Sequence, residues 1–160
     1  MEPRHISQIV DYLYISDWPH GGHVEEMLKA NVQLVITVNW MCPPGALKQA
    51  PSIRSLWLPA FDNPLIPIPV FILEKGVRAA LPVISSGGSV LVHCKEGRHR
   101  SVALASCILI AKGYDPDEAM QLIREKRAVA DPYAGHIRRQ IRRFARRRAK
   151  AADKHTEASA

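Results

Sequence analysis

The nine residues His93-Cys94-Lys95-Glu96-Gly97-Arg98-His99-Arg100-Ser101 constrain this chain more than any other stretch. They are bracketed by Ser89-Val90-Leu91-Val92-His93, which reads as a buried strand, and by an apolar helical run from Val102 to Ala111. A strand that hands over to a helix through a short loop aims successive backbone N–H groups, and the helix N-terminus, at one point. Such a cradle favours a dianion. Arg100, six positions after Cys94, is placed to close the ring with a bidentate guanidinium grip. Cys94 stands in the same positive field, which is expected to lower its pKa and hold it as thiolate. Gly97 is expected where a side chain would obstruct the backbone. Lys95, Glu96, Gly97, Arg98, His99 and Arg100 together form the predicted phosphate-binding loop.

At these residues the chain resembles the cysteine-dependent protein tyrosine phosphatase superfamily, whose signature is H-C-x5-R-S/T, and within it the small dual-specificity phosphatases. The resemblance extends from Ile9-Val10-Asp11-Tyr12-Leu13-Tyr14-Ile15-Ser16 to about Phe144. It implies a phosphoric monoester hydrolase with Cys94 as nucleophile, Arg100 stabilising the equatorial oxygens, and Ser101 hydrogen-bonding the sulfur. His93 is implied as a support behind the loop. Phosphotyrosine is the expected substrate, with phosphoserine and phosphothreonine as further candidates, because nothing here resembles the recognition loop that deepens the pocket of larger tyrosine-specific enzymes.

The leaving group needs a proton, and the resemblance gives that role to Asp62, on the loop after a strand. The rival is Asp131, before Pro132, because the low-molecular-weight tyrosine phosphatases carry their acid in a downstream Asp-Pro pair. Lys95, Arg98 and His99 make the loop basic and similar to lipid-directed members acting on phosphoinositides or phosphatidylglycerophosphate. Glu96 stands where those loops usually have a small residue. A lipid or inositol phosphate phosphatase, an RNA 5′-phosphatase, and a phosphate-binding module without turnover are therefore the alternatives. The resemblance requires no cofactor and no metal.

Composition bounds the rest. A chain of 160 residues suits one domain with an adequate core. The net charge of +7 is local: residues 1–135 carry 13 Lys+Arg and 13 Asp+Glu, whereas 136–160 carry nine Lys+Arg against Asp153 and Glu157. Ile137, Ile141, Phe144 and Ala145 form an apolar stripe that docks a helix, and arginines cover its other faces. The chain divides into a catalytic-type domain, 1–146, and a basic, frayed tail, 147–160. The basic segment reads either as a solvated face or as a surface for an acidic partner or anionic membrane. Nucleic acid is disfavoured, since no aromatics interleave the arginines. The start, Met1-Glu2-Pro3-Arg4-His5, lacks a secretory pattern, and Val102 to Ala111 is too short to span a bilayer. Cys42, Cys94 and Cys107 show no metal-type clustering, and a nucleophilic thiol suits a reducing cytoplasm. Cys42 is either a small packed side chain or, as in some relatives of the family it resembles, a partner that traps oxidised Cys94.

The elements alternate. Strands are expected around a turn within Ile9–Ile15, then a helix to Ala30, and strands Val32–Asn39 and Ile53–Leu58. A helix from Val70 to about Ile84, ended or kinked at Pro82, leads through Gly87-Gly88 to the nucleophile strand. The helix after the loop stops at Gly113, and Asp115 opens the next. Alternation of this kind predicts an α/β fold, a central, mostly parallel sheet flanked by helices, with the catalytic loop between a strand and a helix.

Overall fold

A computed structural model describes residues 5–160. The reading of residues 1–4 as part of a start without a leader pattern lies outside the described residues. Five strands, β1 (Ile6–Val10), β2 (Leu13–Ser16), β3 (Val32–Val38), β4 (Arg54–Leu58) and β5 (Ser89–His93), form one sheet in the order β1-β2-β5-β3-β4. Only the β1–β2 pair is antiparallel; β2–β5, β5–β3 and β3–β4 are parallel. β5, which leads into Cys94, is thus the central strand, and all five of its residues are buried.

Period-2 alternation distributes the strands between two apolar layers. Val90 and Val92 of β5, with Leu34, Ile36 and Val38 of β3, face the larger core. That core is closed by α2 (Val70–Ser85), α3 (Arg100–Ala111), α4 (Pro116–Lys126) and α5 (Gly135–Ala158). Leu91 and Val35 face the other side, where α1 (His23–Lys29) and a short 3-10 turn, Gly45–Gln49, cover a smaller cluster. α3 is buried along nearly its whole length and is the middle helix of the larger layer.

Local chemistry accounts for the joints. Asp115 caps α4 through its side chain on the Asp117 N–H, and Glu118 returns the bond to the Asp115 N–H. α3 ends where the Gly113 N–H bonds the Ile110 carbonyl, with Gly113 at φ +105°. Two expectations are corrected. α2 runs through Pro82 to Ser85, because Pro82 lies in the last turn on the solvent side. The donor it removes would have met the carbonyl of Arg78, which is also on the exposed face. α5 does not fray after 146 but is helical to Ala158. Its alanines, arginines and lysines are strong helix formers, and Arg147 adds an ion pair to Glu74 at 3.0 Å. The docked stripe of α5 is Ile137, Gln140, Ile141 and Phe144; Gln140 takes the inner place expected of Ala145 and donates to the Ile68 carbonyl. Among the described residues no helix is long and apolar enough to cross a membrane.

Candidate active site

β5 ends at His93, and the chain turns through 94–99 into α3, whose first residue is Arg100. A cavity of about 150 Å³ opens at this joint, lined by Asp62, Cys94, Lys95, Glu96, Arg98, His99 and Arg100. A larger groove of about 350 Å³ lies between α2 and α5 and contains none of the predicted site residues.

Cys94 is 2% exposed at the floor of the smaller cavity. Its Sγ lies 3.2 Å from Ser101 Oγ. Burial alone would push the thiol pKa up. The Ser101 hydroxyl and amide, the Arg100 charge and the Arg98 amide outweigh burial and hold the pKa below its ordinary value. Cys107, buried in α3 without such donors, is pushed well above its ordinary value, so position and not residue type sets the direction of the shift.

Arg100 is 7% exposed, and its Nη1 donates to Asn39 Oδ1 (3.1 Å) and to the Ala60 carbonyl (3.3 Å). These bonds fix the plane of the guanidinium from the ends of β3 and β4. Arg100 Nε is buried without a hydrogen-bond partner among the described residues, which is costly unless an acceptor arrives.

His93 is fully buried behind the loop. Its Nδ1 sits 3.1 Å from the Cys94 carbonyl, which can only accept, so Nδ1 carries the proton and Nε2 accepts from the Thr37 hydroxyl at 2.7 Å. Trp18 meets the ring edge-on at 5.3 Å. Burial lowers the His93 pKa to about 4. The unfolded chain, with an ordinary imidazole near 6.5, therefore binds more protons between pH 6.5 and 4, and stability falls as pH drops through that window. The full loss is roughly 3 kcal/mol. Urea unfolding at pH 7 and pH 4.5 checks this; His93→Asn should show a much smaller difference between the two.

Gly97 has φ +64°, and a Cβ there would lie 2.5 Å from Arg127 Nη2 and 2.6 Å from the Ser16 carbonyl oxygen. The close approach is explained by Arg127, buried to 4% exposure at the end of α4. It donates to the Gly97 carbonyl (2.8 Å), the Glu96 carbonyl (3.0 Å), Ser7 Oγ (3.0 Å) and the His5 carbonyl (3.3 Å).

Asp62 sits on the segment between β4 and α2, at the rim of the cavity. Its Oδ2 is 2.8 Å from His99 Nδ1 and its Oδ1 is 2.9 Å from His136 Nε2. Burial pushes its pKa up, but the bonds from His136 and His99, with the charges of His99 and Arg100, bring it below the ordinary carboxylate value. Asp131 stands one layer back. Its Oδ2 is 3.8 Å from His99 Nε2 and its Oδ1 accepts the Tyr133 and Ala134 N–H groups. Both rival acids therefore flank His99, and only Asp62 lines the cavity. Cys42 is exposed rather than packed, and all three cysteines are free.

The family model for "Dual specificity phosphatase, catalytic domain" matches residues 13–147. The chain belongs to the dual specificity phosphatase family. Among its curated relatives, mouse dual specificity phosphatase 28 is 31% identical over 134 residues, covering 83% of this chain and 80% of the relative. Mouse phosphatidylglycerophosphatase and protein-tyrosine phosphatase 1 is 32% identical over 109 residues, 64% of this chain and 56% of the relative. The crystal structure of human dual specificity phosphatase 28 superposes with a TM-score of 0.81 at 28% identity, covering 90% of this chain and 95% of that one. The family and the α/β fold expected from the nine-residue segment are those found, and the enzyme class is protein-tyrosine and dual-specificity phosphatase.

Three residues of this phosphatase's site were invisible to sequence reasoning. Asn39, Arg127 and His136 reach the loop from the end of β3, the end of α4 and the start of α5.

Proposed function

We propose that this phosphatase hydrolyses phosphotyrosine on proteins, with phosphoserine and phosphothreonine as further substrates, through a cysteinyl-phosphate intermediate. The observation that carries the reading is the floor of the cavity. A thiol with lowered pKa stands beside a guanidinium whose Nε is buried with no acceptor, and a phosphoryl oxygen supplies one. In the first step Cys94 Sγ attacks phosphorus as the ester P–O bond breaks, and Asp62 gives its proton to the departing oxygen. In the second, water attacks phosphorus, its proton passes to the Asp62 carboxylate, and the sulfur leaves as thiolate with Ser101 Oγ bonded to it. Arg100 and the N–H groups of residues 95–100 carry the charge on the equatorial oxygens in both steps. His93 positions the Cys94 carbonyl and hence the first turn of the loop. Asp62 must be protonated for the first step, and the bound phosphate dianion raises its proton affinity against the lowering by its two histidines. The catalytic unit is residues 1–146, and 147–160 are an appended basic helix end. A groove of about 270 Å³ lined by Gly135, Arg138, Arg139, Arg142 and Arg146 suits an acidic partner or the acidic flank of a phosphopeptide.

The test is phosphate release from phosphotyrosine peptide and from an activated aryl phosphate by wild type and Asp62→Asn. The asparagine cannot protonate the leaving group, so turnover of the peptide should fall by roughly 10²–10⁴ while the activated ester is spared. Equal loss on both, or that pattern in Asp131→Asn instead, removes Asp62 from the role.

A second reading, a phospholipid substrate, is favoured by one pairing of features. Lys95 and Arg98 line the cavity and are exposed, and the loop carrying Asp62 exposes Phe61, Leu65 and Ile66, a basic edge beside an apolar flank. Release from a phosphoinositide exceeding release from phosphopeptides would select it.

A further inference from the structure

The rim of the cavity holds three side chains that meet from distant parts of the chain. Asp62, His99 and His136 each offer a ligand atom within 4.8 Å of the other two. The two imidazoles meet edge to face, with centroids 5.3 Å apart and planes at 73°, so each can direct a nitrogen at a common point. The carboxylate lies between those nitrogens at 2.8 and 2.9 Å. Two ligands bound at about 2.1 Å to a tetrahedral ion are about 3.4 Å apart, so admitting one requires each N···O separation to open by only about 0.5 Å.

The surroundings suit a cation further. The other nitrogen of His99 faces Asp131 Oδ2 at 3.8 Å, beyond hydrogen-bond distance, and closing by about 0.8 Å would make the carboxylate–histidine pair that orients metal ligands. Asp131 is itself fixed, with its N–H on the Arg98 carbonyl and its Oδ1 on two backbone N–H groups. His99 and His136 are largely covered, their side chains 19% and 13% exposed, so the three donors are held by the fold rather than gathered by the ion.

We propose that Asp62, His99 and His136 form a binding site for a borderline divalent transition metal ion of the zinc class, whose occupancy inhibits the enzyme. Two imidazoles and one carboxylate are a donor set for zinc, cobalt or nickel rather than for magnesium or calcium, which prefer oxygen alone. The fourth position remains open to water or to an oxygen of a bound phosphate. An ion there occupies the carboxylate oxygens that carry the leaving group's proton, so inhibition rests on the role proposed for Asp62, whereas binding does not. No spacing in the sequence announces this site, since its members lie 37 positions apart in each interval, at 62, 99 and 136.

The probe is cobalt(II) added to the full chain, read by its visible absorption, which is strong only in tetrahedral-type coordination, together with zinc titration by calorimetry. Wild type and Cys94→Ser should both give the spectrum. His136→Ala, and His136→Gln as a second variant shown folded by circular dichroism, should weaken affinity at least 10-fold. Zinc should slow phosphotyrosine hydrolysis reversibly, with chelator restoring it. No spectrum in wild type would overturn the proposal. So would binding that survives both His136 variants, or that is lost in Cys94→Ser, which would place the metal on the thiolate. Loss in His20→Ala instead would place it on the separate His5, His20 and His23 group. Binding without inhibition would keep the site and strike Asp62 from the acid role. If no phosphoester is turned over, the spectrum and the calorimetry still decide the site.

Discussion

Cys94→Ser is expected to reduce turnover by roughly 10⁵-fold or more while leaving the anion site able to bind. The serine hydroxyl fits where the thiol sits, 3.2 Å from Ser101 Oγ and within reach of the Arg98 and Ser101 amides. Those donors lower the thiol pKa, whereas an alkanol begins several units higher and remains protonated. In the mechanism proposed above, substrate binding uses the loop amides and Arg100, none of which the substitution touches. A phosphotyrosine peptide should therefore bind this variant with a Kd close to the wild-type KM or tighter, with no phosphate released. Turnover within 100-fold of wild type would show that Cys94 is not the nucleophile. Loss of binding as well as turnover would show that the thiolate itself organises the loop.

Arg100→Lys is expected to cost roughly 10³–10⁵ in kcat/KM, although charge is conserved. The guanidinium here does two jobs at once. Nη1 is committed to Asn39 and the Ala60 carbonyl, and Nε is buried with no acceptor among the described residues. A lysine ammonium can serve the Asn39 acceptor or a phosphoryl oxygen, and it lacks the planar fork that presents two donors in register. The loss should divide between kcat and KM, since the equatorial oxygens carry charge in both bound substrate and transition state, more in the latter. Steady-state kinetics on phosphotyrosine and an activated ester separates this from loss of Asp62. Arg100→Lys should slow both substrates, whereas Asp62→Asn discriminates between them.

What the sequence could disclose follows from how near in the chain the interacting groups lie. The loop from His93 to Ser101 is contiguous, so its strand, turn and helix could be read directly, whereas the central place of β5 in the sheet comes from pairings with strands far away in the chain. Asp62 was legible through its station after β4. Asn39 reaches Arg100 across 61 positions, and His136 reaches Asp62 across 74. Neither stands in a local pattern, because an asparagine at a strand end and a histidine in a first helical turn are ordinary in isolation. The end of α5 was misjudged for a different reason. The apolar stripe ends at Ala145, which suggested a frayed tail beyond 146, whereas helix propensity and the Arg147–Glu74 pair carry the helix to Ala158. Pro82 does not end α2 because a breaker one turn from a helix end, facing water, has little left to break.

Arg127 gives the anion cradle an anchorage outside itself. One buried side chain fastens the carbonyls of Glu96 and Gly97 to Ser7 and the His5 carbonyl at the outermost strand, two strands away from β5. The edge of the sheet and the turn around the nucleophile are thus one mechanical unit, clamped from the far side of the loop. β1 thus meets the turn at Gly97 by two routes, through the sheet and through one guanidinium.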